Sequence, residues 1–77
     1  MNWEEHISVD QKVLVGKPVV KGTRLSVEFL LGLFGNGWNE ERVLMEFPQL
    51  TQEQLQAVFQ YAAHLAGEER YFAFPEA

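Results

Sequence analysis

Side chains able to do chemistry are few and dispersed in this sequence of 77 residues. There is no cysteine, which removes a thiolate nucleophile, a thiolate metal ligand and a disulfide framework together. The two histidines are His6 and His64. His64 and Glu68 stand at i, i+4 on one helical face and offer two metal ligands, but a structural zinc site needs about four, and a solvated helix surface accounts for the pair. No nucleophile, base and orienting group occur at a spacing that assembles them, and the acids scatter over helix surfaces. Gly16-Lys17-Pro18-Val19-Val20-Lys21-Gly22-Thr23 has the ingredients of a phosphate loop in the wrong order. A P-loop places lysine directly after its last glycine, and Pro18 lacks one of the backbone donors that would cradle phosphate. The expectation is a protein without catalytic residues, cofactor or metal, whose work is binding.

One polar surface suits binding. Pro48-Gln49-Leu50 is a short joint between two helical segments, as in a helix-turn-helix. In that geometry the first turn of the second helix faces base edges and brings Gln49, Thr51, Gln52 and Gln56 forward; glutamine pairs bidentately with adenine. Lys21 and Arg24 are the candidate phosphate contacts, while the glycines around them also suit a turn in which Arg24 ties the arm to the bundle. Against DNA readout, Glu53 shares the presented turn and no lysine or arginine lies on that helix, so an ordinary capped bundle helix is the competing reading.

The elements that must position these residues follow from pattern. Between Ile7 and Val20 the apolar residues are β-branched and cut by Asp10-Gln11 and Gly16-Lys17-Pro18, which is strand-turn-strand punctuation. Pro18 belongs at an edge or at the start of a strand. Two or three short strands in an arm expose backbone and an apolar face, so they need a partner surface; pairing of arms between two chains, through Val13, Val15, Val19 and Val20, supplies it. From Ser26, an N-cap, Val27, Leu30, Leu31 and Phe34 follow helical spacing, closed by Gly35 and Gly37. Phe29 and Leu33 lie off that stripe, which predicts a helix covered on two sides. Asn39 caps a second helix with Val43, Leu44 and Phe47 inward, Trp38 stapling on Val43, and Pro48 stopping it. Thr51 and Gln54 make a capping box for the third helix, with Leu50 and Leu55 at the staple positions. Its inward face is expected to be Leu55, Val58, Phe59, Ala62, Leu65 and Ala66, with Gln52, Gln56, Gln60 and His64 outward. Tyr71-Phe72-Ala73-Phe74-Pro75 forms an extended aromatic tail, whose Tyr71, Phe72 and Phe74 dock on the bundle or on a partner.

The net charge of −5 argues against a general nucleic-acid binder, because lysine and arginine supply most non-specific affinity. The distribution is uneven. Lys12, Lys17, Lys21 and Arg24 face three acids in the first 24 residues, whereas the remainder sets Arg42 and Arg70 against eight acids. The N-terminus is acidic where a secretory signal is basic, and the longest apolar run, Phe29 to Phe34, is far short of the roughly 20 residues that span a bilayer. A cytoplasmic protein is expected.

With these residues in view, the string from Val13 to Val27, VLVGKPVVKGTRLSV, resembles the signature of the domain-of-unknown-function family 433. Gly37-Trp38-Asn39-Glu40-Glu41 is similar to the family's turn before helix two, Phe47-Pro48-Gln49-Leu50-Thr51 to its helix two to three junction, and Tyr61-Ala62-Ala63 to its third-helix motif. The resemblance covers roughly residues 7 to 69. Ser26 and Gln11 stand where members commonly have proline. The resemblance implies a homeodomain-like or winged-helix-like three-helix fold with a dimerising β arm. It also implies a bacterial antitoxin, often encoded beside a PIN-like ribonuclease toxin, with DNA binding for autoregulation.

The expectations are then a mainly α, single domain over 1–77: a β arm at 1–24, a three-helix bundle at 25–67 and an aromatic tail at 68–77. The expected function is a homodimeric antitoxin-like regulator that binds a toxin and its own promoter; the alternative is a protein-interaction module that never touches DNA.

Overall fold

The three α-helices of this chain each begin where a short polar side chain takes the place of a missing backbone partner. The structure is a computed structural model and describes residues 2–10 and 16–67. In chain order the elements are a 3-10 helix (Trp3–Glu5), strands β1 (Ile7–Val9) and β2 (Pro18–Val20), and helices α1 (Val27–Gly35), α2 (Glu40–Glu46) and α3 (Gln52–Gly67). The chain is mostly helical, with a two-stranded antiparallel sheet near its N-terminus.

The caps match the expected ones. The Phe29 amide donates to Ser26 Oγ at 2.9 Å, and the Arg42 amide donates to Asn39 Oδ1 at 2.8 Å. Thr51 and Gln54 form both halves of the capping box: the Gln54 amide donates to Thr51 Oγ1 at 3.1 Å and the Thr51 amide to Gln54 Oε1 at 2.9 Å. Helix α1 closes in a Schellman motif. The Trp38 amide donates to Leu33 O and the Gly37 amide to Phe34 O, both at 3.1 Å, and Gly37 takes the positive φ of 95° that the motif requires.

The arm corrects one expectation. Ile7, Val19 and Val20 are buried at 4%, 4% and 0% exposure within a single chain, in contact with α1 and α3, so Val19 and Val20 need no second copy to cover them. Two antiparallel strands are enough because their apolar side lies on the helices, as a marginal hairpin requires. Pro18 is the first residue of β2 and faces Val9, at the strand start expected for a residue without an N–H. After β2 the chain turns through Gly22, at φ 82°, and is pinned by Thr23, whose hydroxyl donates to Val20 O at 2.8 Å and accepts from the Leu25 amide at 3.0 Å. Val13 and Val15 lie outside the described residues, as do Tyr71, Phe72 and Phe74.

The core is continuous from the arm through all three helices: Ile7, Val20, Val27, Leu30, Val43, Leu50, Leu55, Ala57, Val58 and Tyr61. Both staple leucines, Leu50 and Leu55, belong to it. The inward face of α3 is rotated from the expected one. Leu55 and Val58 are buried as expected, but Ala57 and Tyr61 are buried where Phe59, Leu65 and Ala66 were expected, and the latter three are exposed. The cause is the N-terminal 3-10 helix, which packs on α3 and sets Trp3 edge-on to Tyr61 with ring centroids 4.8 Å apart. Ala57 has the small side chain that lets a neighbouring element approach closely. Phe59 is half-exposed and meets only the edge of the core, through an edge-to-face contact with Phe34 at 4.9 Å. Gln60, expected outward, is half-buried, and its Oε1 has no hydrogen-bond partner among the described residues. Phe29 is also half-exposed, resting edge-on against Phe47 at 5.9 Å, so the second side of α1 is only partly covered.

Candidate functional site

The joint between α2 and α3 is built from its caps. Phe47 closes α2, its amide donating to Val43 O at 2.9 Å, and the Leu50 amide donates to Phe47 O at 2.9 Å, folding Phe47-Pro48-Gln49-Leu50 into one turn. Leu50 is buried beneath this turn, which forces its polar neighbours out. Gln49, Thr51, Gln52 and Gln56 are all exposed. Gln52 and Gln56 stand one helical turn apart on α3 and share a face. The Thr51 hydroxyl oxygen is used as the cap acceptor, so what it retains for an outside partner is its O–H. Gln54, by contrast, is turned back into the capping box. The four residues singled out in the sequence therefore lie on one corner, together with the exposed carboxylate of Glu53.

The cations do not gather there. Lys17 pairs with Glu28 on the surface at 3.1 Å. Lys21 Nζ donates to the Glu4 carbonyl at 2.9 Å, tying the 3-10 helix to the turn after β2. This fits the structural role that sequence left open for the Gly16–Thr23 stretch, and it falls to Lys21 instead of Arg24. The Arg42 guanidinium lies 3.9 Å above the Trp38 ring, a cation–π contact that sequence reasoning missed although Trp38 and Arg42 sit four apart around the Asn39 cap. Arg24 is exposed and makes no hydrogen bond or ion pair with the described residues. It is the one described cation fully available to a phosphate.

Among the described residues there is no enclosed cleft, and no group of three His, Asp or Glu side chains converges as metal ligands would. His64 lies beside Trp3, ring centroids 5.3 Å apart, and so serves the packing of the arm on α3. No helix among the described residues is long and apolar enough to cross a membrane.

No curated protein and no solved structure matched this chain. A family model did, over residues 7–62, which takes in β1, β2, all of α1 and α2, and α3 as far as Ala62. The match includes both the Gly-Lys-Pro to Gly-Thr-Arg turn and the capped joint before α3, and by it the chain belongs to the family described as protein of unknown function (DUF433).

Proposed function

We propose that this protein is a homodimeric, antitoxin-like regulator of the cytoplasm. In this reading it does no chemistry of its own. It reads operator DNA with the corner between α2 and α3, and it binds a toxin of the PIN-like ribonuclease type through the aromatic segment Tyr71-Phe72-Ala73-Phe74. The three helices are read as a homeodomain-like unit with α3 as the recognition helix.

The observation that carries the DNA part is the corner itself. Gln49, Gln52 and Gln56 are exposed, unspent on internal hydrogen bonds among the described residues, and held on a helix whose start is fixed by a two-way capping box. Amide side chains in that position match the donor and acceptor pattern of an adenine edge. The antitoxin part rests on the resemblance to this family given under Sequence analysis, which implies such a role. In a gel mobility-shift assay with the promoter of its own operon at low salt, Gln52→Ala and Gln56→Ala are expected to cost about 1–3 kcal/mol each at specific sites, and Arg24→Ala to lower affinity on all sequences alike. Co-purification with the product of the neighbouring gene tests the toxin part; a chain that isolates cleanly without it overturns that part.

A second reading is favoured by the electrostatics. With net charge −5, Glu53 on the presented turn and Lys17, Lys21 and Arg42 engaged within the chain, the surface suits a protein partner better than a phosphate backbone. Absence of a mobility shift at low salt, with co-purification retained, selects this reading.

A further inference from the structure

Among the described residues one edge of the N-terminal sheet has no neighbour, and bonds already in the ladder set which way its backbone groups point. The Lys21 amide donates to His6 O at 2.8 Å, so His6 and Lys21 are a hydrogen-bonded pair. Along an antiparallel ladder bonded and non-bonded pairs alternate. Ser8 with Val19 is therefore a bonded pair, whereas Ile7 with Val20 and Val9 with Pro18 are non-bonded. The N–H and C=O of Ile7 and Val9 point away from β2, and no described residue outside the sheet takes them. The far side of β2 is closed by contrast: the Val20 amide donates to Leu25 O at 3.0 Å, Val19 bridges Ser26, and Pro18 has no N–H to offer. Val9 shares the face of Ile7 but is 57% exposed, an apolar side chain just past the rim of the core.

We infer that this edge joins two copies of the chain, β1 pairing antiparallel with β1 of a second copy in the register that sets Ser8 opposite Ser8. A two-fold axis there places Ile7 of each copy opposite Val9 of the other as bonded pairs, so every outward N–H and C=O of both strands finds a partner. Registers centred on Ile7 or on Val9 keep the parity but carry part of the bonding beyond the ends of β1. The same register continues the apolar layer, because Val9 comes to lie beside Ile7 of the second copy, a β-branched cross-strand pair. A strand of this chain is thus complementary to its own inverted copy in hydrogen bonding and apolar contact, which is the case for a second copy as the occupant. The inference rests on the homodimer of the proposed function and moves its contact from valine side chains to a backbone edge.

The test uses the full chain, which has no cysteine of its own. In the inferred register Ser8 and its symmetry mate are a non-bonded pair, with Cα atoms about 4.5 Å apart, within disulfide range. Ser8→Cys is expected to oxidise almost completely to a covalent dimer, while Glu41→Cys, exposed on α2, stays uncrosslinked at the same concentration. Val9→Pro removes an outward donor without touching a bond to β2. It is expected to weaken the dimer by about tenfold or more in sedimentation equilibrium with the helical circular dichroism unchanged. A chain that sediments as a dimer while Ser8→Cys crosslinks no faster than Glu41→Cys overturns this inference and leaves the homodimer standing on another surface. A chain that sediments as a monomer throughout overturns both.

Discussion

At its N-terminal end α3 is closed by residues a few positions apart, whereas toward its C-terminal end it is held by a tryptophan from the start of the chain. At the first end, Thr51 and Gln54 exchange hydrogen bonds and Leu50 and Leu55 are buried beneath them. At the other, Trp3 sits edge-on to Tyr61 and beside His64, and the 3-10 helix and β1 follow it onto α3. A local closure orders few residues for each interaction it forms, while a distant one must first close a long loop. The two ends therefore differ in what they do. The capped end presents a polar corner whose hydrogen bonds are all local, set over two leucines of the common core. The tryptophan end fastens the arm, and with it the open edge of β1, to the body.

The largest loss is expected at Leu55, the staple partner of Leu50, which is wholly buried in the core shared by all three helices. Leu55→Ala is expected to lower stability by about 2–5 kcal/mol, a large part of what so small a domain possesses, measured as a shift of the urea midpoint. Trp3→Ala separates the ends. The expected loss is smaller, about 2 kcal/mol for a half-buried ring that forfeits its aromatic contact. Its signature is regional: hydrogen exchange should accelerate at the Ser8 and Val20 amides and stay unchanged in the first turn of α3. Equal acceleration at both ends would show that the two are one cooperative unit. Thr51→Ala is the reciprocal change, with an expected loss of about 1 kcal/mol. In a double-mutant cycle with Gln54→Ala it should be coupled to Gln54 and additive with Trp3→Ala.

The same division explains how much could be read in advance. Ser26, Asn39, Thr51 and Gln54 were legible as caps because a cap joins residues no more than three apart. The exposure of Gln49, Gln52 and Gln56 was legible too, since burial of Leu50 and Leu55 leaves those positions no other side. The inward face of α3 is not legible in the sequence, because Phe59 and Leu65 outweigh Ala57 and Tyr61 in apolarity. Tyr61 is covered by Trp3 from the start of the chain, and Ala57 is buried one helical turn before it on the same face. The burial of Val19 and Val20 within one chain is illegible for a related reason: the helices on which their strand lies come from further along the sequence.

The three α-helices, the caps at Ser26, Asn39 and Thr51 and the turns at Gly22 and Gly37 are thus properties of the sequence alone, because all of them depend on contacts between near neighbours. Family membership is too, through motifs spread over residues 7–62. Tertiary structure decided which flank of α3 faces inward, that Val19 and Val20 are buried within the chain, that Lys21 is occupied by the Glu4 carbonyl, and that among the described residues the outer edge of β1 is the unpaired one. Those outcomes turn on contacts between residues distant along the chain, whose partners no local pattern names.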